Sequence, residues 1–266
     1  MGVTGMRWES RAAGVAMLCL AWAGNHLQAA TVVLGEPPRL GTGNCDPFGC
    51  PGSFGLGTYQ QVFLSTAFPG TISIDGLAFF ESQVLSNGGQ PAAGTYALSF
   101  SYTSFGPGNL NLTSPGANVG SGSQGFFTGA LPALTPEGAG NELIITGTPF
   151  VYDPADGDLL LTVTVTGAAN PGPALYLDEA ECGPKTFCPP GTSVVSSNAY
   201  FGTINGLPVS GGNSLGGLIT EFDYTTVSGN VPEPGSMFLV LAGFAMIACE
   251  RRRRRVFRVN ARRTGG

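Results

Sequence analysis

The stretch "DLLLTVTVTG" sets the strongest limit on what this chain can fold into. Its Leu161, Val163 and Val165 fall on one side of an extended backbone, and Thr162, Thr164 and Thr166 fall on the other. A period of two, carried by β-branched residues, describes a strand with one packed and one wet face; a helix would need apolar residues every three or four positions. Runs of the same kind recur as "TYQQVFL", "TISIDGLAFF", "GTYALSFSYTS", "ELIITG", "ALYL" and "GLITEFDYTTV", each set off by Gly, Pro, Asn or Ser. In "TISIDGLAFF" the alternation puts Ile72, Ile74 and Gly76 on one face. One-sided burial fits antiparallel sheets better than a parallel sheet covered on both faces. No stretch carries a helical period long enough to compete, and no internal repeat is visible. The expected fold is therefore all-β: a single antiparallel β-sandwich or jelly-roll-like domain over residues 31–230. The alternative, a disordered glycine-rich chain, conflicts with the regular apolar alternation.

The two ends differ from this middle. Arg7 and Arg11 precede the short apolar run "AAGVAMLCLAWAG", which leads to small residues at Ala29 and Ala30. A basic start, a short apolar segment and a small-residue junction describe a secretory signal peptide over residues 1–30, cut after Ala29 or Ala30. A membrane-anchoring first helix is the competing reading, and the run is shorter than the roughly 20 residues that a spanning helix needs. At the other end the uncharged run from Met237 to Cys249 is followed by five arginines, Arg251, Arg252, Arg253, Arg254 and Arg255. At about 1.5 Å per residue such a helix reaches only about 20 Å, against a hydrocarbon core of about 30 Å.

Charge divides the chain in the same places. Over residues 31–230 the only cations are Arg39 and Lys185, against fourteen carboxylates, so two minus fourteen gives −12, whereas the whole chain carries −5. The only histidine is His26, both tryptophans are Trp8 and Trp22, and all the methionines lie in the terminal segments. A surface with two cations cannot release counterions from a phosphate backbone, which argues against nucleic-acid binding. Without histidine there is no Ser-His-Asp or Cys-His nucleophile, no zincin and no imidazole to titrate near neutrality. Neither a phosphate-cradling G-x-x-x-x-G-K-[ST] loop nor a dinucleotide fingerprint occurs, and no cofactor is expected. Carboxylates and tyrosines are the chemistry that remains.

Four cysteines lie in the middle region, Cys45 and Cys50 in "CDPFGC" and Cys182 and Cys188 in "CGPKTFC". An even count in an exported protein reads as disulfides. Three pairings are open, of which the local one, Cys45 with Cys50 and Cys182 with Cys188, asks least of the chain. A four-thiolate zinc site is the sharper alternative, and neither spacing is the usual one for it. Asp153, Asp156 and Asp158 in "YDPADGD" offer hard oxygens at a spacing that would suit calcium. The simpler reading is a turn that starts at Asp153-Pro154, closes at Asp156-Gly157 and gives way to a strand at Leu159, with no metal bound. "DEAEC" at Asp178 to Cys182 reads as a solvated acidic loop, and "NLT" at Asn111 matches a glycosylation acceptor that is common by chance.

The ending resembles a known sorting signal. Val231-Pro232-Glu233-Pro234, the short hydrophobic helix over 236–249 and the arginine block at 251–255 occur in order, as they do in the PEP-CTERM signal of exopolysaccharide-producing Gram-negative bacteria. More weakly, "YQQVFLSTAFPGTISIDGLAFF", "SPGANVG" with "FFTGAL", "PFVYDPADGDLLLTVTV" and "GGLITEFDY" are similar to segments that recur in one large group of PEP-CTERM proteins. That group commonly has Asn-Leu-Leu-Leu where this chain has Asp158-Leu159-Leu160-Leu161. The resemblance implies an exported protein whose Pro-Glu-Pro motif is recognised by an exosortase. The helix would be held transiently in the inner membrane by cytoplasmic arginines, with residues 259–266 as a cytoplasmic tail, before processing sends the protein to the surface or the medium. It implies no catalytic residue. The resulting expectation is a non-enzymatic surface or matrix protein associated with exopolysaccharide or biofilm. A carbohydrate-binding module is the alternative, in which only Tyr and Phe could supply stacking faces. A carboxylate-pair glycosidase comes third, since no Asp and Glu pair stands out.

Overall fold

Alternating runs become strands in the computed structural model, which describes residues 29–35, 43–50, 56–85, 88–137, 140–169, 172–182, 196–204 and 207–227. In chain order the described strands are β1 (Ala29–Leu34), β2 (Gly43–Asn44), β3 (Leu56–Phe63), β4 (Ile72–Phe80), β5 (Ala93–Thr103), β6 (Gln124–Gly129), β7 (Thr135–Glu137), β8 (Gly140–Tyr152), β9 (Asp158–Ala169), β10 (Leu177–Cys182), β11 (Ser196–Ile204), β12 (Leu207–Leu218) and β13 (Thr220–Thr226). One α-helical turn, α1 (Pro115–Asn118), and two 3-10 turns, Ser65–Ala67 and Pro154–Asp156, interrupt them. Five strands form one sheet in the order β1-β13-β4-β8-β7, and eight form another in the order β2-β10-β12-β11-β3-β9-β5-β6. Every ladder between these strands is antiparallel.

The two sheets share one core. Ile72, Ile74, Leu77 and Phe79 of β4 and Phe222 of β13 cluster with Tyr59 and Phe63 of β3 and with Leu161, Val163 and Val165 of β9. Aromatic rings bridge the sheets: Phe63 meets Phe222 edge-on at 4.9 Å, and Phe100 of β5 lies 5.4 Å from Phe150 of β8. Such tilted and edge-on pairs add to what area burial alone supplies. On β9 the alternation holds, with Leu161 and Val163 fully buried while Thr164 and Thr166 face solvent.

The outer face of the larger sheet is partly roofed by the connection from β5 to β6. Leu110 packs on Val62, Leu160, Ala199 and Phe201, with Phe105, Leu112 and Val119 beside it. The buried Gln60 amide donates to the Pro115 carbonyl (3.0 Å) and to Thr162 Oγ1 (3.1 Å), and Asn118 donates to Gln60 Oε1 (2.8 Å). These bonds satisfy the polar groups that this covering takes from water.

Three sequence expectations change. Opposite β13, a bulge between Ile74 and Gly76 adds one residue to β4 and resets its parity, so the core face continues through Leu77 and Phe79 instead of Gly76. Gly76 instead lies under Asp223, where a Cβ would come within 2.5 Å of the carboxylate. "ALYL" is not a strand: Ala174 makes an isolated bridge to Gln90, and β10 begins only at Leu177. "DEAEC" is not a solvated loop, because it forms β10 and buries Asp178 to 1 % exposure. Among the described residues no helix is long and apolar enough to cross a membrane, and residues 231–258, where the sorting signal is expected, lie outside them, as do residues 1–28.

Candidate functional site

Polar side chains collect where β2, β10, β11 and β3 come together in the larger sheet. Cys45 and Cys50 are joined as a disulfide with Cα atoms 5.3 Å apart, the local pairing expected for this loop. The loop closes tightly, since the Cys50 N–H donates to the Cys45 carbonyl (3.0 Å). Gly49 is required there, as a Cβ would strike the Leu175 carbonyl oxygen at 1.8 Å. Asp46 is thereby fixed: its N–H donates to Asn44 Oδ1 (2.9 Å), and its Oδ1 lies 3.3 Å from Cys50 Sγ.

The second carboxylate arrives from β10. Glu179 Oε1 accepts from Asn198 Nδ2 (3.3 Å) and from Asn44 Nδ2 (3.5 Å). Beneath it the Tyr59 hydroxyl donates to Gln61 Oε1 (2.6 Å), and Gln61 clamps the Leu218 backbone by donating to its carbonyl (2.9 Å) and accepting from its N–H (3.1 Å). Burial, helped by the charge of Glu179, pushes the Asp46 carboxyl up to about 7. Burial first and Glu179 second also raise the Tyr59 phenol, which stays neutral.

One aromatic ring reaches water here. Tyr200 pairs with Gly211 on β12 and with Tyr59 on β3, and Asn198 pairs with Gln61, so Asn198 and Tyr200 share a face of β11. The Tyr200 ring lies over Gly211, where a Cβ would sit 2.2 Å from the hydroxyl. Glycine leaves the ring uncovered, and at 39 % exposure Tyr200 is the only exposed aromatic side chain among the described residues. Gly212 is constrained too: its φ is +114°, and a Cβ would meet the Asn198 carbonyl oxygen at 2.4 Å.

The described residues contain no Lys, Arg or His. The site therefore offers hydrogen-bond acceptors, a carboxyl that exchanges a proton near neutrality, and an aromatic face. The ligand atoms of Cys45, Asp46 and Cys50 lie within 4.8 Å of one another. With the two sulfurs bonded together they are not the thiolates that bind metals.

Asp153, Asp156 and Asp158 do not form such a group among the described residues. Asp153 caps the 3-10 turn Pro154–Asp156 by accepting from Ala155 N–H (3.0 Å), Gly157 takes a φ of +134°, and Asp158 accepts from Ser65 N–H (2.7 Å). Asn111 likewise serves its own turn, its Oδ1 accepting from Thr113 N–H (2.9 Å), Thr113 Oγ1 (2.8 Å) and Ser114 N–H (3.0 Å). Cys182 ends β10, and Cys188, Val231 to Pro234 and Arg251 to Arg255 lie outside the described residues. Sequence reasoning missed the Asp46–Glu179 pair, because the two are far apart in the chain and "DEAEC" resembles an ordinary acidic loop. Its one visible signal was the alternation of Leu175 and Leu177, which continues to Glu179. The chain matches no protein-family model, no curated protein and no solved structure.

Proposed function

We propose that the chain is an exported, non-enzymatic surface or matrix protein of a Gram-negative bacterium, made as a signal peptide, a β-sandwich of jelly-roll type and an exosortase-processed tail. Its expected surroundings are the inner membrane before processing, and exopolysaccharide or biofilm material afterwards. The observation that carries this reading is the ladder between β1 and β13, in which Ala29 faces Thr225. The junction at Ala29 or Ala30 and the end of β13, the last described strand before Val231, then belong to one corner of the domain. Four residues separate Thr226 from Val231, a reach of at most about 17 Å, so an enzyme cutting at Pro232 to Pro234 works close against that corner. A finished domain with both of its leaders at one edge suits a chain trimmed at both ends.

The test places one tag after Ser228 and another after Arg263 in the native host. The expected result is separation of the two tags, with loss of separation when Pro232, Glu233 and Pro234 are changed to Ala. Neutral replacements of Arg251 to Arg255 should instead misplace the tail, because they remove the charges that keep it in the cytoplasm. Both tags remaining on one membrane-bound chain in the unmodified protein would make the tail a short permanent anchor.

A further inference from the structure

We propose that the Cys45–Cys50 bond is the latch of a core plug: with both cysteines reduced the loop releases Phe48 from between the sheets, and oxidation seats it there. This rests on the exported-protein reading only for the place of oxidation, outside the reducing cytoplasm.

Three observations meet in the loop that the bond closes. The first is the plug itself. Phe48 is fully buried, its ring 4.9 Å from Phe79 of β4 in one sheet and 6.0 Å from Tyr96 of β5 in the other. The Ala92 N–H donates to the Phe48 carbonyl (2.7 Å), and the Tyr96 hydroxyl donates to the Ala92 carbonyl (3.0 Å), so the plug is tied to the segment that leads into β5. The second is the slight support upstream. Among the described residues β2 is two residues long and pairs only with β10, and the Asp46 N–H returns to Asn44 of that same short strand. The cross-link between Cys45 and Cys50 therefore turns a short loop into a fixed wedge. With the link open the loop regains the chain freedom that closure removed, and Phe48 can leave while the sheets stay together. The third is access. Cys45 is 7 % exposed and Cys50 3 %. A reducing thiolate has to reach a sulfur directly, so the seated plug shields its own latch. Closure uses an external disulfide as oxidant: two thiols become the Cys45–Cys50 bond, and two electrons and two protons pass to that disulfide, which leaves as two thiols.

The experiment compares full-length proteins in detergent by amide hydrogen exchange: the parent, and a double variant with Cys45→Ala and Cys50→Ala that leaves the other four cysteines untouched. The Ala92 amide, bonded to the Phe48 carbonyl, reports the plug. The Leu161 amide, in a strand paired on both sides, reports the whole domain. Loss of the bond should accelerate exchange at Ala92 by a factor at least about tenfold larger than at Leu161. A second variant tests the shielding. Phe48→Leu loosens the plug with the cysteines in place, so dithiothreitol should open the Cys45–Cys50 bond at least about threefold faster than in the parent, relative to Leu161 exchange in the same protein. An equal or smaller factor at Ala92 would overturn the proposal, because the bond would then stabilise the domain as a whole. Reduction of Phe48→Leu no faster than the parent on that scale would overturn it too. None of these readouts depends on where the tail is cut, so failure here leaves the sorting reading standing, and failure of sorting leaves the latch standing.

Discussion

Ala29 and Thr225 face each other across the antiparallel ladder of β1 and β13, so the chain enters and leaves its domain at neighbouring backbone positions. β1 is an edge strand, and without it the row of N–H and C=O groups along β13 would be an open edge. The first residues of the domain thus guard the strand that precedes the tail.

Deleting Thr31 to Leu34 should therefore raise the oligomeric state above that of the parent through the uncovered edge of β13. Light scattering after gel filtration would register the change. A variant that keeps the parent's mass and melts like it would make β1 dispensable.

The disulfide gives a second expectation. Peptide mass spectrometry without reduction should find Cys45 and Cys50 linked, two hydrogens lighter than the dithiol. Closing so small a loop stabilises by about 2 kcal/mol through chain entropy, and Cys45→Ser should lose roughly that amount in urea unfolding. Cys50 alkylated in the native protein would contradict the bond.

Core packing gives a third. Phe222 is fully buried, with Phe63, Phe68 and Phe100 at ring separations of 4.9, 5.3 and 6.4 Å. It joins the two sheets, so Phe222→Ala should cost about 3 to 5 kcal/mol by lost transfer energy and the cavity left behind. The urea midpoint should fall with little change in slope. A loss below about 1 kcal/mol would mean that the sheets are not held together here.

Strands with a strict period of two were legible in the sequence. Leu161, Val163 and Val165 announce β9, and the alternation in "GTYALSFSYTS" announces β5, which spans Ala93–Thr103. What escaped has a physical cause in each case. β12 reads Leu-Pro-Val-Ser-Gly-Gly-Asn-Ser-Leu-Gly-Gly-Leu, a composition that resembles a linker, and its pairing with β11 is what draws it into the sheet. The bulge at Asp75 follows from three-dimensional fit and leaves no mark in the alternation. The charge influence of Glu179 on Asp46, bridged by Asn44, joins residues from β10 and the loop after β2, and only the finished sheet brings them together. Tyr200 could be seen as an aromatic residue, but its exposure depends on Gly211 across the ladder.

The last expectation is a stability that falls as pH rises. Burial and Glu179 raise the Asp46 carboxyl from an ordinary 3.8 to about 7 in the folded protein. Burial first, and the neighbouring charge of Asp75 second, also raise Asp223. Between about pH 4 and pH 7 the folded state therefore holds protons that the unfolded chain has released. Stability falls with pH wherever the folded state binds more protons, so this contribution is complete below about pH 4 and lost as pH rises through 7. At about 1.4 kcal/mol for each tenfold change in proton affinity the shift at Asp46 sets a ceiling near 4 kcal/mol, and its partial exposure brings the expected loss to roughly 2 kcal/mol. General repulsion among the carboxylates has the same sign, so the parent alone does not isolate the effect. Asp46→Asn does, because the amide cannot ionise while keeping the size of the side chain. Urea unfolding at about pH 4.5, 6 and 8 should show a smaller decline in the variant than in the parent, with the two curves converging at the acid end. Parallel curves with the same decline would mean that Asp46 titrates as an ordinary exposed carboxylate and that Glu179 does not reach it.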